Sequence, residues 1–194
     1  APALALAAAI SLQAGQTEKA TGYVERLRRA QPEAVAGLML EGELAMNQKR
    51  YKDALGFYRK ASARGTNTQL VLAEFRAATL AGESNPEKGL VDWVASNPGD
   101  VAAVAVLTEL RSGKGDTDGA IALYEAALAK SPDNVVLLNN LAMLYNGKGD
   151  AKAVQYAERA YKAAPKAPVV ADTYGWVLFT QGKTDQAYDL IREA

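Results

Sequence analysis

The sequence predicts an all-α chain built from repeated pairs of helices. Alanine, the residue with the highest helix propensity, makes up about a fifth of the 194 residues. The string GKGD begins at Gly113 and again at Gly147, a shift of 34 residues. Proline stands at positions 32, 98, 132 and 165, at intervals of 66, 34 and 33, close to two, one and one lengths of the same repeat. A period in this range is the signature of stacked repeat units.

Each unit reads as a helix, a tight turn, a second helix and a turn that contains proline. Glycine at the tight turn tolerates the positive φ that often ends a helix. Asp116 and Asp150 follow that glycine in two units, where their carboxylates can cap the next helix. Proline closes a unit because the residue before it disfavours the α region. We expect helices of about 12–14 residues, roughly 20 Å long.

Six units follow in order, and together they form one array. We predict the boundaries 1–34, 35–67, 68–100, 101–134, 135–167 and 168–194. The unit 68–100 fits least well, because its turn is the long string AGESNPEKG and Trp93 stands where a small residue is usual. Its register is open by about one or two residues. The chain begins and ends inside helical patterns, so we expect a fragment of a longer protein.

These positions resemble the tetratricopeptide repeat family. In the unit 135–167 the matching residues are Leu138, Leu141, Ala142, Tyr145, Gly149, Asp150, Ala153, Ala160 and Pro165. Small residues such as Gly42 and Gly175 would let paired helices approach closely, and Tyr58 and Tyr124 would fill the space between units. The resemblance implies a right-handed α-α superhelix with a concave groove lined by the first helix of each unit. It also implies a non-catalytic scaffold that binds a protein or peptide.

Composition excludes several other functions. The absence of Cys and His removes thiol nucleophiles, imidazole bases and the usual zinc ligands. Lys plus Arg and Asp plus Glu are both 22, so a neutral chain has no long-range field for nucleic acid. Asp116 and Asp118 lack the further ligands of a calcium loop, and the GKGD turns lack the upstream glycine and strand of a phosphate loop. We therefore expect no enzymatic activity, metal or cofactor, and no apolar run long enough to span a membrane.

Helical periodicity predicts which first-helix side chains face the groove. These candidate partner-binding residues are Asn139, Asn140, Met143, Asn146, Glu109, Arg76, Glu43, Asp172 and Trp176. Asparagine amides can bond to a peptide backbone, Met and Trp offer apolar contact, and the charged residues select the partner. We expect alanine at Asn139, Asn140 and Asn146 to weaken partner capture without lowering helicity.

A narrower resemblance concerns the second half of the chain. The strings LNNLAMLYNGKGDAKAVQYAERAYKAAP and DTYGWVLFTQGKTDQAYDLIREA are similar to the long tetratricopeptide arrays of bacterial PEP-CTERM and exopolysaccharide systems. That resemblance implies an assembly module in the bacterial periplasm or envelope. Two other interpretations remain open. The chain could be a structural spacer whose cut ends form a homodimer through Trp176 and Phe179, or it could bind carbohydrate on aromatic faces.

Overall fold

The computed structural model describes residues 2–193, except for the side chains of 191 and 193. This part of the chain forms twelve α-helices and no strand, which confirms the all-α prediction. The helices follow one another as six pairs, and we call the earlier member of each pair the first helix. They are α1 (Pro2–Gln13), α2 (Thr17–Ala30), α3 (Val35–Asn47), α4 (Tyr51–Ser62), α5 (Thr68–Ala81), α6 (Lys88–Ser96), α7 (Val101–Gly113), α8 (Thr117–Lys130), α9 (Val135–Gly147), α10 (Lys152–Ala163), α11 (Pro168–Thr180) and α12 (Thr184–Glu193).

The tight turns recur with the predicted period. A residue with positive φ follows each first helix, at Gly15, Lys49, Gly82, Gly115, Gly149 and Gly182. The intervals between them are 34, 33, 33, 34 and 33 residues. The third turn is therefore in register, although its fit to the family pattern is the poorest. Glycine was expected at these positions, and in the second pair a lysine takes its place.

One helix is shorter than expected. Helix α6 has 9 residues, whereas α1 to α5 and α7 to α11 have 12 to 14. In the third pair the chain turns at Gly82 and does not become helical again until Lys88. Pro86 lies in this stretch and has no backbone N–H to continue a helix. The lost helical residues therefore correspond to the longer turn.

Side-chain caps begin several helices. Asp116 accepts a hydrogen bond from the Gly119 N–H at 3.0 Å, as predicted. Asn67, Asp100 and Asn134 make the equivalent bond at the starts of α5, α7 and α9. Asp150 differs, because its carboxylate accepts from the Lys152 N–H only two residues on, at 2.8 Å, and α10 starts at that lysine.

The first compact unit ends at Trp93, within α6. Its core has two parts. One joins α1, α2 and α3 through the buried residues Ala8, Val24, Leu27 and Leu40. The other joins α3, α4 and α5 around Tyr58, which is 2% exposed and packs with Leu38, Leu55 and Leu70.

The second compact unit begins at Val94. Its fully buried side chains include Val104, Leu137, Leu138, Leu141 and Leu178. Leu178 of α11 packs with Ala187 and Leu190 of α12 against Tyr161 of α10. The grouping of all six helix pairs into one continuous array stays a prediction.

Candidate functional site

Two of the predicted groove residues line one cleft in the first unit. Glu43 on α3 and Arg76 on α5 face a space of about 570 Å³ between the first helices α1, α3 and α5. The other lining residues are Ala9, Leu12, Gln13, Met46, Asn47, Tyr51, Tyr58, Ala73 and Leu80. We call this space the first-unit cleft. Its wall combines apolar side chains with one acid and one base.

The two charges in the first-unit cleft are free. No hydrogen bond or ion pair from any described residue reaches the Glu43 carboxylate or the Arg76 guanidinium. By contrast, Glu41 and Glu74 on the same helices pair with Arg28 and Arg59, at 3.4 and 3.7 Å. The structure thus separates the engaged charges of α3 and α5 from the unengaged ones.

The pKa of Tyr58 depends on both charged residues of this cleft. Burial raises the pKa of its hydroxyl well above the usual tyrosine range, the Glu43 carboxylate adds to that rise, and the Arg76 guanidinium opposes it. Burial also raises the pKa of Glu43. The effects on Tyr58 place both charged groups within electrostatic reach of its hydroxyl. An acidic or basic group of a partner would therefore enter a polarised, partly dehydrated space.

In the second unit, the predicted residues lie on α7, α9 and α11. Asn146 on α9 is already engaged by the end of α11. Its Oδ1 accepts from Thr180 Oγ1 at 2.8 Å and from Gln181 Nε2 at 3.4 Å. This residue therefore links two first helices, and its acceptor is not available to a partner.

Asn140 is also engaged within the fold. Its Nδ2 donates to the hydroxyl of buried Tyr124 on α8 at 3.0 Å. Burial raises the pKa of Tyr124, the Asn140 hydrogen bond opposes the rise, and the Glu109 carboxylate contributes a smaller increase. The structure thus brings Glu109, Tyr124 and Asn140 together. Sequence reasoning assigned Tyr124 only to packing, and missed its polar contact.

Asn139 and the apolar residues remain free. The Oδ1 atom of Asn139 is buried and has no hydrogen-bond partner among the described residues. Met143 is 42% exposed and Trp176 is 54% exposed. Phe179 has the same exposure as Trp176, and their ring centroids lie 6.0 Å apart. Asp172 is exposed on the same helix.

Sequence reasoning missed further residues on these faces. Val136 and Val169 are 54% and 69% exposed. Each lies seven residues before a predicted groove residue, Met143 and Trp176, and seven residues make two helical turns. That spacing could have identified both. In the first-unit cleft, Leu80 lies one turn after Arg76 and is found by the same argument.

These contacts change how the asparagine variants should be interpreted. Alanine at Asn140 would leave the buried Tyr124 hydroxyl without this donor, and alanine at Asn146 would remove a bond between α9 and α11. Both changes are expected to cost stability as well as binding. Only Asn139→Ala removes a side chain whose acceptor has no partner within the described part of the chain.

Two further properties follow from the described residues. No helix in the range 2–193 combines the length and apolar character needed to cross a membrane. Within the same range, no group of three or more acidic side chains is placed to hold a metal ion.

Several solved structures share this fold. MamA is 21% identical, with a TM-score of 0.61 over 85% of this chain and 92% of that one. PilF of Pseudomonas aeruginosa is 15% identical, with a TM-score of 0.67 over 97% and 87%. YrrB, described as a tetratricopeptide repeat protein with an unusual peptide-binding site, is 17% identical, with a TM-score of 0.56 over 85% and 87%. At these identities the similarity concerns the fold alone. No curated protein matches the chain.

Sequence models of the tetratricopeptide repeat match residues 4–67 and 113–153, which together make up more than half of the 194 residues. The helix pairs, the turn period and the solved neighbours agree with these matches. Proteins of this family generally mediate protein–protein interactions and are typically non-catalytic. The chain belongs to the tetratricopeptide repeat family.

Proposed function

We propose that this chain is a non-catalytic scaffold that binds a peptide or a partner helix on its first-helix faces. The observation that carries the proposal is the first-unit cleft, in which Glu43 and Arg76 line an open space without engaging any described residue. Charged groups that the fold leaves unengaged beside apolar contacts are available to a partner's charges.

The dimensions of the cleft support a peptide as the ligand. A volume of about 570 Å³ lies within the range of specific binding pockets and accommodates a few side chains. Leu12, Met46 and Leu80 offer apolar contacts from three different helices. Glu43 and Arg76 have opposite charges, so they would favour one orientation of a bound segment.

Site-specific photocrosslinking tests the proposal. A photoreactive phenylalanine analogue is placed at Asn47, which is exposed and lines the cleft, and in a second variant at Lys19, an exposed position on α2. Both variants are irradiated in extract of the native source. We expect a discrete protein adduct from position 47 and none from position 19.

The charges of the cleft provide the second part of the test. We expect Glu43→Gln with Arg76→Gln to abolish the adduct from position 47 while circular dichroism stays unchanged. Adducts of equal yield from both positions, or an adduct that survives the double substitution, would contradict binding in the cleft.

We further propose that the scaffold serves an exopolysaccharide or envelope assembly. The support is the resemblance of residues 138–165 and 172–194 to the repeat arrays of PEP-CTERM systems. Deletion of the gene in its native host should then lower secreted polysaccharide, and the intact gene should restore it. Unchanged polysaccharide in the deletion strain would remove this context and leave the scaffold role standing.

A further inference from the structure

We infer that the exposed face of α9 and α11 in the second unit binds a cationic side chain, a lysine or arginine within an apolar stretch of a partner peptide. We call this surface the α9–α11 face and define it by Val136, Asn139, Met143, Asp172, Trp176 and Phe179. The inference rests on the proposed function, because it specifies the chemistry of the partner.

The α9–α11 face carries a negative charge. Helix α9 has no charged residue, and α11 has only Asp172. Asp172 is exposed, and no hydrogen bond or ion pair from the described residues engages it. Glu109 on α7 is likewise exposed and unengaged.

Two cations at the ends of the first helices α7 and α9 are engaged within the fold. The Arg111 guanidinium at the end of α7 pairs with Asp116 at 2.8 Å. The Lys148 ammonium, which follows α9, pairs with Asp118.

Lys166 and Lys183, which precede and follow α11, are exposed and their side chains engage no described residue, but neither belongs to the α9–α11 face. Asp172 is the one charged residue of the face itself, and it is negative. An anionic partner would be repelled and a cationic one attracted.

Aromatic rings lie next to the carboxylate. Trp176 follows Asp172 by four residues, so the two side chains are neighbours on one side of α11. Phe179 lies one turn further on, with its ring tilted by 33° to that of Trp176. Both rings are 54% exposed. A cation over an aromatic face is attracted by the ring quadrupole, and Trp is the strongest such partner.

The α9 side of the face is apolar. Asn139 lies on it, but its Oδ1 is buried and does not meet solvent. Val136 and Met143 are exposed on the same helix. These apolar residues favour a partner in which Lys or Arg alternates with apolar side chains.

Fluorescence anisotropy with three synthetic peptides tests the inference. The fluorescein-labelled peptides have one length and one set of apolar residues, and carry lysine, serine or glutamate at three shared positions. We expect the lysine peptide to bind at least about tenfold tighter than the glutamate peptide, with an affinity that falls as salt rises. The serine peptide should lie between them.

Matched variants localise the effect. Asp172→Asn should weaken binding of the lysine peptide by roughly three- to tenfold and leave the serine peptide unchanged. Trp176→Leu keeps an apolar side chain but removes the indole, and should also weaken the lysine peptide selectively. Asp189→Asn is the control, because Asp189 is exposed on α12, outside the α9–α11 face. Unchanged circular dichroism shows that each variant is folded.

Several outcomes would overturn the inference. One is equal or tighter binding of the glutamate peptide, and another is binding of none of the three peptides. A third is equal loss in Asp172→Asn and Asp189→Asn. A concentration-dependent dimer that Trp176→Ser dissociates would also overturn it, because a second copy would then occupy the face. The photocrosslinking experiment at position 47 separates this inference from the proposed function. If the lysine peptide shows no selectivity but the adduct at position 47 still forms, the scaffold function stands. If no adduct forms at position 47, the scaffold function itself is contradicted.

Discussion

The ring of Tyr58 lies directly against the backbone of Gly42. A methyl group built on Gly42 would come within 2.7 Å of Tyr58 Cδ1 and closer still to Cε1. The obstructing atoms belong to the body of the ring, and Tyr58 is only 2% exposed. The paired helices α3 and α4 are therefore held at a separation that only glycine permits.

Gly42→Ala should destabilise the protein. Alanine improves helix propensity by about 1 kcal/mol, but the overlap with Tyr58 forces a ring or backbone displacement. We expect a net loss of about 1–3 kcal/mol in the free energy of unfolding, measured by urea denaturation.

Gly56→Ala is the matched control for this substitution. Gly56 lies inside α4, and a methyl group there would meet no atom within 4 Å. The variant should gain up to about 1 kcal/mol from propensity alone. Equal effects of the two substitutions would show that the Gly42–Tyr58 contact does not limit the helix separation.

The turn after α9 contains two glycines, and only one of them has a positive φ. Gly149 has φ of +68°, whereas Gly147 ends α9 without a positive φ. A methyl group on either glycine would meet no atom within 4 Å, so space does not distinguish them. We expect Gly149→Ala to cost about 1 kcal/mol or more and Gly147→Ala to be neutral or slightly stabilising, by thermal or urea unfolding. A reversed order would refute the argument from φ.

Lys49 gives the converse prediction. It has φ of 59° at the position that glycine occupies in the other five turns. Lys49→Gly removes the steric cost of the left-handed conformation but adds flexibility to the unfolded chain. We expect a net stabilisation of about 0.5 kcal/mol, whereas Lys52→Gly, inside α4, should destabilise by roughly 1 kcal/mol. A loss of stability in the Lys49 variant would mean that its side chain contributes a contact.

Asp116 predicts a pH dependence of stability. A hydrogen bond from the Arg111 side chain, followed by that from the Gly119 N–H, lowers the pKa of its carboxyl below the ordinary value of 3.8. A lowered pKa in the folded state means that the ionised carboxylate stabilises the fold. The contribution is complete above that ordinary value and is lost as the pH falls through the folded-state pKa.

Carboxyl-carbon NMR can measure this pKa directly. Arg111→Gln should raise the pKa of Asp116, because it removes the main cause of the shift. Arg26→Gln, at an exposed arginine on α2, is the control and should leave it in place. An unchanged pKa in the Arg111 variant would assign the shift to the helix cap alone.

The hydroxyl of Tyr145 makes a hydrogen bond between two successive helix pairs, and its contribution to stability can be predicted. It donates to the Glu125 carboxylate at 2.6 Å, while the ring stacks on Tyr156 with centroids 5.4 Å apart. Tyr145→Phe keeps the stack and removes the hydrogen bond, so we expect a loss of about 1 kcal/mol in urea unfolding. Tyr188→Phe, at a ring that is 65% exposed, should change stability by less than about 0.5 kcal/mol. Equal effects would show that the bond contributes nothing.

Much of this architecture could be predicted because its signals are local. The period of about 34 residues placed the tight turns, and helical spacing put Glu43 and Asn139 on first helices. The same spacing could not show that Glu41 is paired with Arg28 while Glu43 is free, because both glutamates lie on α3. Whether a side chain meets a partner on another helix depends on the angle at which the two helices cross and on the rotation of each about its axis. The sequence of one helix does not specify either.

The sequence by itself therefore determined the helix pairs, the period of the turns and the family, since each depends on residues near one another in the chain. Only the tertiary structure decided which candidate residues are free. It engages Asn146 with Thr180, 34 positions away, and Asn140 with Tyr124, while Asp172 and the buried Oδ1 of Asn139 have no hydrogen-bond or ion-pair partner among the described residues. The physical reason is that hydrogen bonds form between whichever groups packing brings within about 3 Å, and packing is a property of several helices together.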